Sequence, residues 1–215
     1  MKKIGRGWQY EVCDLENGRV RKQKYSPLLQ YLVICRDLLG DGNPWPFVEA
    51  RSEQVRVDND ERESIKHLNK IRDIVDWGMF GNPKFIQDGV YEQDKLEDLE
   101  TVFKHASIEE GKEIFNKFMS LIYKEWEYGF GDKIFNFLDN NGRNKKGELV
   151  QLDFGELEFE KEEMRKNIRK KCWLERSSYW ALPKGILKEY YRQMMNPEVM
   201  ERKLDELWGI KLNKF

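Results

Sequence analysis

Asp153-Phe154-Gly155 and Gly5-Arg6-Gly7 are the stretches of this chain whose residue types could do chemistry. An acidic residue just past a buried strand can hold a hard cation that bridges phosphates. Gly155 lets the chain turn sharply there, and Phe154 can anchor the turn in a core. Two glycines in a strand turn let backbone N–H groups approach phosphate oxygens with no Cβ in the way. The first stretch also reads as a strand-ending turn and the second as a bulged hairpin. Their order and separation fit the handling of a phosphate chain and its counter-cation.

Residues between them fit the same task. Val12 would pack under a flat base. Lys22 is a compact cation on a strand, with Val20 on the same face because side chains alternate; Lys24 shares that face and competes for the role. Glu61, one turn before Ile65, could point inward and position the lysine, with Glu63 as second choice. Acidic residues also suit a helix start for dipole reasons. In Gly129-Phe130-Gly131-Asp132-Lys133-Ile134-Phe135-Asn136, the Asp could orient an attacking hydroxyl and the Asn offer an oxygen to magnesium. The same residues favour turns, and Asp139, Asn140 and Asn141 are an alternative set. Glu156 and Glu158 read more readily as surface charges than as attractors of a cationic acceptor.

These residues need elements to hold them. Residues 4–12 alternate around the glycines, Asn17-Gly18 is a hairpin turn signal, and residues 19–23 read as the return strand. Ser26-Pro27 starts a helix with Leu28, Tyr31, Leu32, Cys35 and Leu39 as its apolar face. A second helix is expected from about Asp60 to Trp77, with Ile65, Leu68, Ile71, Ile74 and Val75 inward. Residues 84–87 and 90–93 read as short strands, and 96–103 as a short helix. Ser107 with Glu110 forms a capping box for a long helix whose inner face is Ile114, Phe115, Phe118, Met119 and Ile122. A strand over 148–152 leads into Asp153. From Lys161 the pattern predicts two or three helices. Strands first and helices later indicate an α+β chain.

At 215 residues, 40% hydrophobic and 36% charged, the chain is long enough for one large or two small globular domains. The net charge of -1 provides no global positive field, so nucleic acid is not an expected partner. No apolar run is long enough to span a bilayer, and the start of the chain lacks the apolar stretch of a signal peptide. A cytoplasmic protein with no membrane partner is expected. Cys13, Cys35 and Cys172 are scattered, and the two histidines have no Cys or His at ligand spacing. Neither a disulfide framework nor a zinc site is expected.

Taken in order, these pieces resemble the protein kinase superfamily. Gly5-x-Gly7-x-x-Tyr10-x-Val12 resembles the glycine-rich loop, with Tyr at the third glycine. Val20-Arg21-Lys22 resembles the end of the lysine-bearing strand, Glu61 its helix partner, Asp132 and Asn136 the catalytic loop, and Asp153-Phe154-Gly155 the metal-binding turn. The resemblance implies a bilobal kinase-like fold, with a small β-rich lobe over 1–93 and a compact helical lobe over 94–215. It further implies ATP and Mg2+, Gly5, Gly7, Val12, Lys22 and Glu61 around the nucleotide, Lys22 and Asp132 as catalytic residues, and Asn136 and Asp153 on the metal. The acceptor, a protein or a small molecule, is left open. Phe130-Gly131 replaces the usual His-Arg, closer to the aminoglycoside-phosphotransferase branch. Three residues rather than four separate Asp132 from Asn136, and no Ala-Pro-Glu motif follows. These departures keep a catalytically inactive, kinase-shaped binding module as the alternative. An unrelated α+β protein is the third reading.

Overall fold

The computed structural model describes residues 1–182 and 185–214, without the side chains of Arg6, Ser177, Ser178 and Lys214. The chain is α+β. Strands β1 (Lys2–Arg6), β2 (Tyr10–Asp14) and β3 (Arg19–Lys24) form a meander, helices α1 (Pro27–Gly40) and α2 (Pro46–Lys70) follow, and β4 (Lys84–Gln87) and β5 (Val90–Asp94) complete the sheet. The order is β1-β2-β3-β5-β4, antiparallel throughout. Gly18 turns the β2–β3 hairpin at φ +82°, a conformation glycine adopts without a Cβ penalty. Period-two alternation puts Tyr10, Val12, Val20, Lys22, Lys24 and Tyr91 on one face, since Tyr10 lies opposite Lys24, Val12 opposite Lys22, and Lys22 opposite Tyr91.

Ser26 caps α1 as expected, its Oγ accepting from Leu29 N, but the buried face is different. Gln30, Val33, Ile34 and Cys35 face inward, while Leu28, Leu32 and Leu39 are exposed. Helix α1 is apolar nearly all round, so periodicity offers two faces and the packing of α2 chooses between them.

Helix α2 begins at Pro46, well before Asp60, and ends at Lys70. Its buried stripe is Ala50, Gln54, Val57, Glu61, Ser64 and Leu68, at spacings of four and three. Half of that stripe is polar, which hides it from a hydrophobic pattern. Ile71, Ile74 and Val75 lie beyond the helix, in the turns that lead to a 3-10 segment at Trp77–Phe80.

The rest is mainly helical. Strand β6 (Glu97–Asp98) precedes α3 (Leu99–His105), so the helix expected from residue 96 starts later, where Asp98 caps it. Helix α4 (Ile108–Glu127) has both halves of the Ser107–Glu110 capping box and buries the five residues expected. Short strands β7 (Gly131–Asp132), β8 (Asn141–Arg143), β9 (Leu149–Gln151) and β10 (Leu157–Glu158) follow; β8 pairs with β6 and β9, and β7 with β10. Four α-helices close the described chain: α5 (Lys161–Lys170), α6 (Ser177–Ala181), α7 (Ile186–Met194) and α8 (Pro197–Leu207). The extra break has local causes. Lys171 ends α5 at φ +54°, Gly185 precedes α7 at φ +98°, and Asn196 caps α8.

One core runs through the molecule, from Tyr10 and Tyr91 on the sheet through Phe80, Phe154 and Phe130 to Phe115, Phe137 and Tyr191 among the helices. A smaller cluster of Ile34, Cys35 and Ala50 lies between α1 and α2, with Trp8 packed against it. No helix among the described residues is long and apolar enough to cross a membrane. All three cysteines are free.

Candidate functional site: the β1–β2 hairpin, helix α2 and the acidic turn at Asp153

The hairpin turn is closed by Gly7 N donating to Tyr10 O at 2.9 Å. Neither Gly5 nor Gly7 has a positive φ. A Cβ at Gly5 would stand 3.8 Å from Val12 Cβ, an ordinary contact, and one at Gly7 would meet nothing within 4 Å. Gly7 therefore leaves open space beside the backbone. Trp8 ties the tip of the hairpin to the cluster between α1 and α2.

Gln9 connects three elements. Its Nε2 donates to Val57 O at 3.1 Å and to Glu61 Oε2 at 3.3 Å. Its Oε1 lies 3.3 Å from where a Cβ on Gly155 would stand. The hairpin therefore touches both α2 and the turn after Asp153.

Glu61 points inward, only 4% exposed, as its place on the helix predicts. Its ion-pair partner is Lys24, whose Nζ is 2.7 Å from Glu61 Oε2 and 2.9 Å from Asp58 Oδ1. The Tyr10 hydroxyl donates to Glu61 Oε1. Burial works against the Lys24 ammonium, but the hydrogen bonds to Glu61 and Asp58 outweigh it and hold its pKa above the ordinary value. The expected pairing of Glu61 with Lys22 is thus replaced. The two lysines share a face, and α2 crosses at the Lys24 end.

Lys22 turns toward the acidic turn. Its Nζ donates to Leu152 O, directly before Asp153, at 2.5 Å, and lies 5.6 Å from the centre of the Tyr91 ring. Burial pushes its pKa down, with the charges of Asp153 and Glu61 opposing.

Strand β9 is buried along its length and delivers Asp153 two residues past its end. Asp153 Oδ1 accepts from Gly155 N at 3.0 Å, which fixes the turn. Phe154 is 1% exposed and packs against Phe80, Tyr91 and Phe85 at ring separations of 5.1, 5.4 and 6.0 Å. Asp153 is half-buried, and its Oδ2 accepts no hydrogen bond among the described residues.

Asp132 is enclosed rather than open, at 2% exposure. Its Oδ1 accepts from Ile134 N at 2.8 Å and Phe135 N at 3.0 Å. Burial pushes its pKa up against these bonds. The amide beside it belongs to Asn140, whose Nδ2 is 3.3 Å from Asp132 Oδ2 and 2.9 Å from Glu156 Oε2. Asn140 O also accepts from Leu152 N at 2.7 Å, tying this loop to the approach to Asp153. Asn136 stays in the turn, where its backbone O accepts from Asn140 N. The loop is longer than a motif count implies because Phe135, at φ +50°, and Phe137 and Leu138 are drawn into the core.

Glu156 was the least conspicuous of these residues in the sequence. It is largely buried, and burial, reinforced by Asp132, raises its pKa to about 7 against the hydrogen bond from Asn140 and the charge of Arg56. It is not the surface charge expected. Its only sequence signal is its place three residues after Asp153.

Among the described residues no group of three or more His, Cys, Asp or Glu could hold a metal by itself. A magnesium ion, however, is usually held by one or two protein groups plus phosphate oxygens and water. Asp153 Oδ2, and Asn140 Oδ1 opposite its engaged Nδ2, suit that sparse donor set.

No protein-family model matches the chain, and no curated protein compared with it matches.

Proposed function

We propose that this chain is an ATP- and Mg2+-dependent phosphotransferase of bilobal kinase-like fold, acting in the cytoplasm on a hydroxyl of a protein or small molecule. The observation that carries this reading is the reach of Lys22 Nζ to Leu152 O, which sets a strand-borne ammonium against the carboxylate turn at Asp153. The sheet order, the Lys24–Glu61 ion pair between strand and helix, and Phe154 anchored behind Asp153 support it.

In this reading Gly5 and Gly7 cover the phosphates, with the open backbone at Gly7, and Val12 packs on the base. Lys22 leaves the Leu152 carbonyl to contact the phosphates, and Lys24 with Glu61 holds α2 to the sheet. Asp153 and Asn140 would hold the magnesium, which would supply charge neutralisation. The acceptor oxygen forms its bond to the γ-phosphorus as the bond to the bridging oxygen of ADP breaks. The acceptor proton passes to a carboxylate. Asp132 is closed in, so Glu156, bridged to it by Asn140 and with a pKa near 7, is the better-placed acceptor. Asp132 then positions Asn140. Catalysis rests on positioning and charge neutralisation.

A second reading has its own observation. Gln9 and Tyr10 occupy the space beside Glu61, and both Asp132 oxygens are engaged, as in a binding module without transfer. The test is transfer from labelled ATP to a broad acceptor set, beside thermal shift with ATP and Mg2+. Asp153→Ala should abolish transfer with an unchanged circular dichroism spectrum. Nucleotide binding without transfer by the parent chain supports the module, and absence of both removes the proposal.

A further inference from the structure

A cavity of about 750 Å³ opens away from the residues discussed above, between the β2–β3 turn, the 3-10 segment, helix α4 and the β8–β9 hairpin. That volume is typical of small-molecule sites, which run from about 300 to 1,000 Å³. Five lysines line it, Lys95, Lys117, Lys124, Lys145 and Lys146, against three acids, Asp76, Asp94 and Glu148.

Two of the acids are neutralised by a cation, and the third is hydrogen-bonded to a neutral amide. Asp76 pairs with Lys124 at 2.6 Å, Asp94 with Arg19 at 2.9 Å, and Glu148 Oε2 accepts from Asn144 Nδ2 at 2.9 Å. Lys95 is held by Asp14, outside the cavity lining, at 2.5 Å. With Lys124 taken by Asp76, Lys117, Lys145 and Lys146 remain. Lys145 and Lys146 make no ion pair among the described residues. Lys117 has only Glu113, one turn back on its own helix.

Two of these ammonium groups reach across to a neighbouring wall. Lys145 Nζ stands 3.5 Å from where a Cβ on Gly18 would lie, and Lys117 Nζ stands 3.6 Å from the equivalent point on Gly147. The helix cation thus reaches the hairpin turn, and the hairpin cation reaches the sheet. Lys117 and the pair Lys145 and Lys146 stand on separate walls of one cavity, so an anion held between them is attracted from both. Ser120 and Asn82 add polar groups to the lining, and Met79, Leu121 and Leu149 add apolar ones.

We infer that this cavity binds a small molecule carrying a linear di- or triphosphate. A phosphoanhydride chain carries several anionic oxygens in series, and so can meet Lys117 on α4 and Lys145 and Lys146 on the β8–β9 hairpin together. The chain can belong to inorganic polyphosphate or to the tail of a nucleotide. The inference does not depend on the phosphotransferase reading, because none of these lysines belongs to the other site.

Titration calorimetry of the full chain with inorganic pyrophosphate, tripolyphosphate and ATP, all without magnesium, tests it. Tripolyphosphate should bind one to one, and Lys145→Glu/Lys146→Glu should weaken it by about tenfold or more. Lys70→Glu/Lys170→Glu, two exposed reversals elsewhere, should leave it within about twofold. Lys22→Met should also leave tripolyphosphate binding intact, which separates this cavity from the proposed ATP cleft. If ATP competes with tripolyphosphate in Lys22→Met the ligand is a nucleotide tail, and if it does not the ligand is inorganic. Absence of tripolyphosphate binding, equal loss in both reversal pairs, or loss in Lys22→Met overturns the inference.

Discussion

Asn140 Nδ2 stands between two carboxylates, 2.9 Å from Glu156 Oε2 and 3.3 Å from Asp132 Oδ2. One amide thereby joins the loop after β7 to the turn after Asp153. Its two hydrogens are spent on carboxylates, so its oxygen is presented elsewhere. This makes Asn140, rather than Asn136, the amide to test. Asn140→Ala should lower transfer by at least about a hundredfold, a loss of about 3 kcal/mol in transition-state stabilisation. Asn136→Ala should lower it by less than about fivefold. Steady-state kinetics on both variants checks the assignment, and the reverse ranking would return the role to Asn136.

The two lysines of β3 should separate by property. Lys24→Met leaves the Glu61 carboxylate, 5% exposed in its side chain, without its ammonium and should cost about 2 kcal/mol in urea unfolding. Lys24→Met/Glu61→Gln should recover part of that loss. Lys22→Met exchanges one half-buried chain for an apolar one and should change stability by less than about 1 kcal/mol while removing ATP affinity. If Lys22→Met is the more destabilising and Lys24→Met the variant that loses ATP, the roles are reversed.

Glu156 makes stability depend on pH. Its folded pKa of about 7 lies above its ordinary 4.5, so between those values the native state binds more protons than the unfolded chain. Its contribution is complete below the unfolded pKa and is lost as pH rises through the folded one. Urea midpoints should fall between about pH 5 and about pH 8. Glu156→Gln should flatten much of that slope and be more stable than the parent by about 2 kcal/mol at about pH 8. Asp132 and Glu125, whose carboxyls burial also raises, should leave a residual slope of the same sign. A profile that Glu156→Gln does not alter would contradict the buried placement.

Gly131 precedes Asp132 for a packing reason. A Cβ there would lie 2.8 Å from Trp126 Nε1 and 3.0 Å from Met164 Cε, and the Trp126 ring is fully buried and cannot easily yield. Gly131→Ala should destabilise by about 1–3 kcal/mol. Denaturant unfolding followed by tryptophan fluorescence would report both the loss and any movement of the ring.

Local signals in the residues alone determined much of the framework. The Asn17-Gly18 turn, the Ser26 and Ser107 caps and the strand leading to Asp153 depend on neighbours a few positions apart, and all of them formed. Residues 4–12, which read as one strand, instead divide between β1 and β2, because the chain turns back on itself where Gly7 N donates to Tyr10 O. The inward direction of Glu61 was legible too, from its place one turn before Ile65. Tertiary structure decided what lies between elements. Lys22 and Lys24 are equivalent by alternation, about 7 Å apart on one face, and only the line of α2 across the sheet gives Glu61 to Lys24. The stripe of Ala50, Gln54, Val57, Glu61 and Ser64 is buried because α1 and the hairpin supply partners for its polar groups, which no hydrophobic period records. Asn140 reaches Asp132 because Phe135, Phe137 and Leu138 sink into a core assembled from distant helices. Spacing along the chain measures distance within an element, whereas these contacts depend on how separate elements pack.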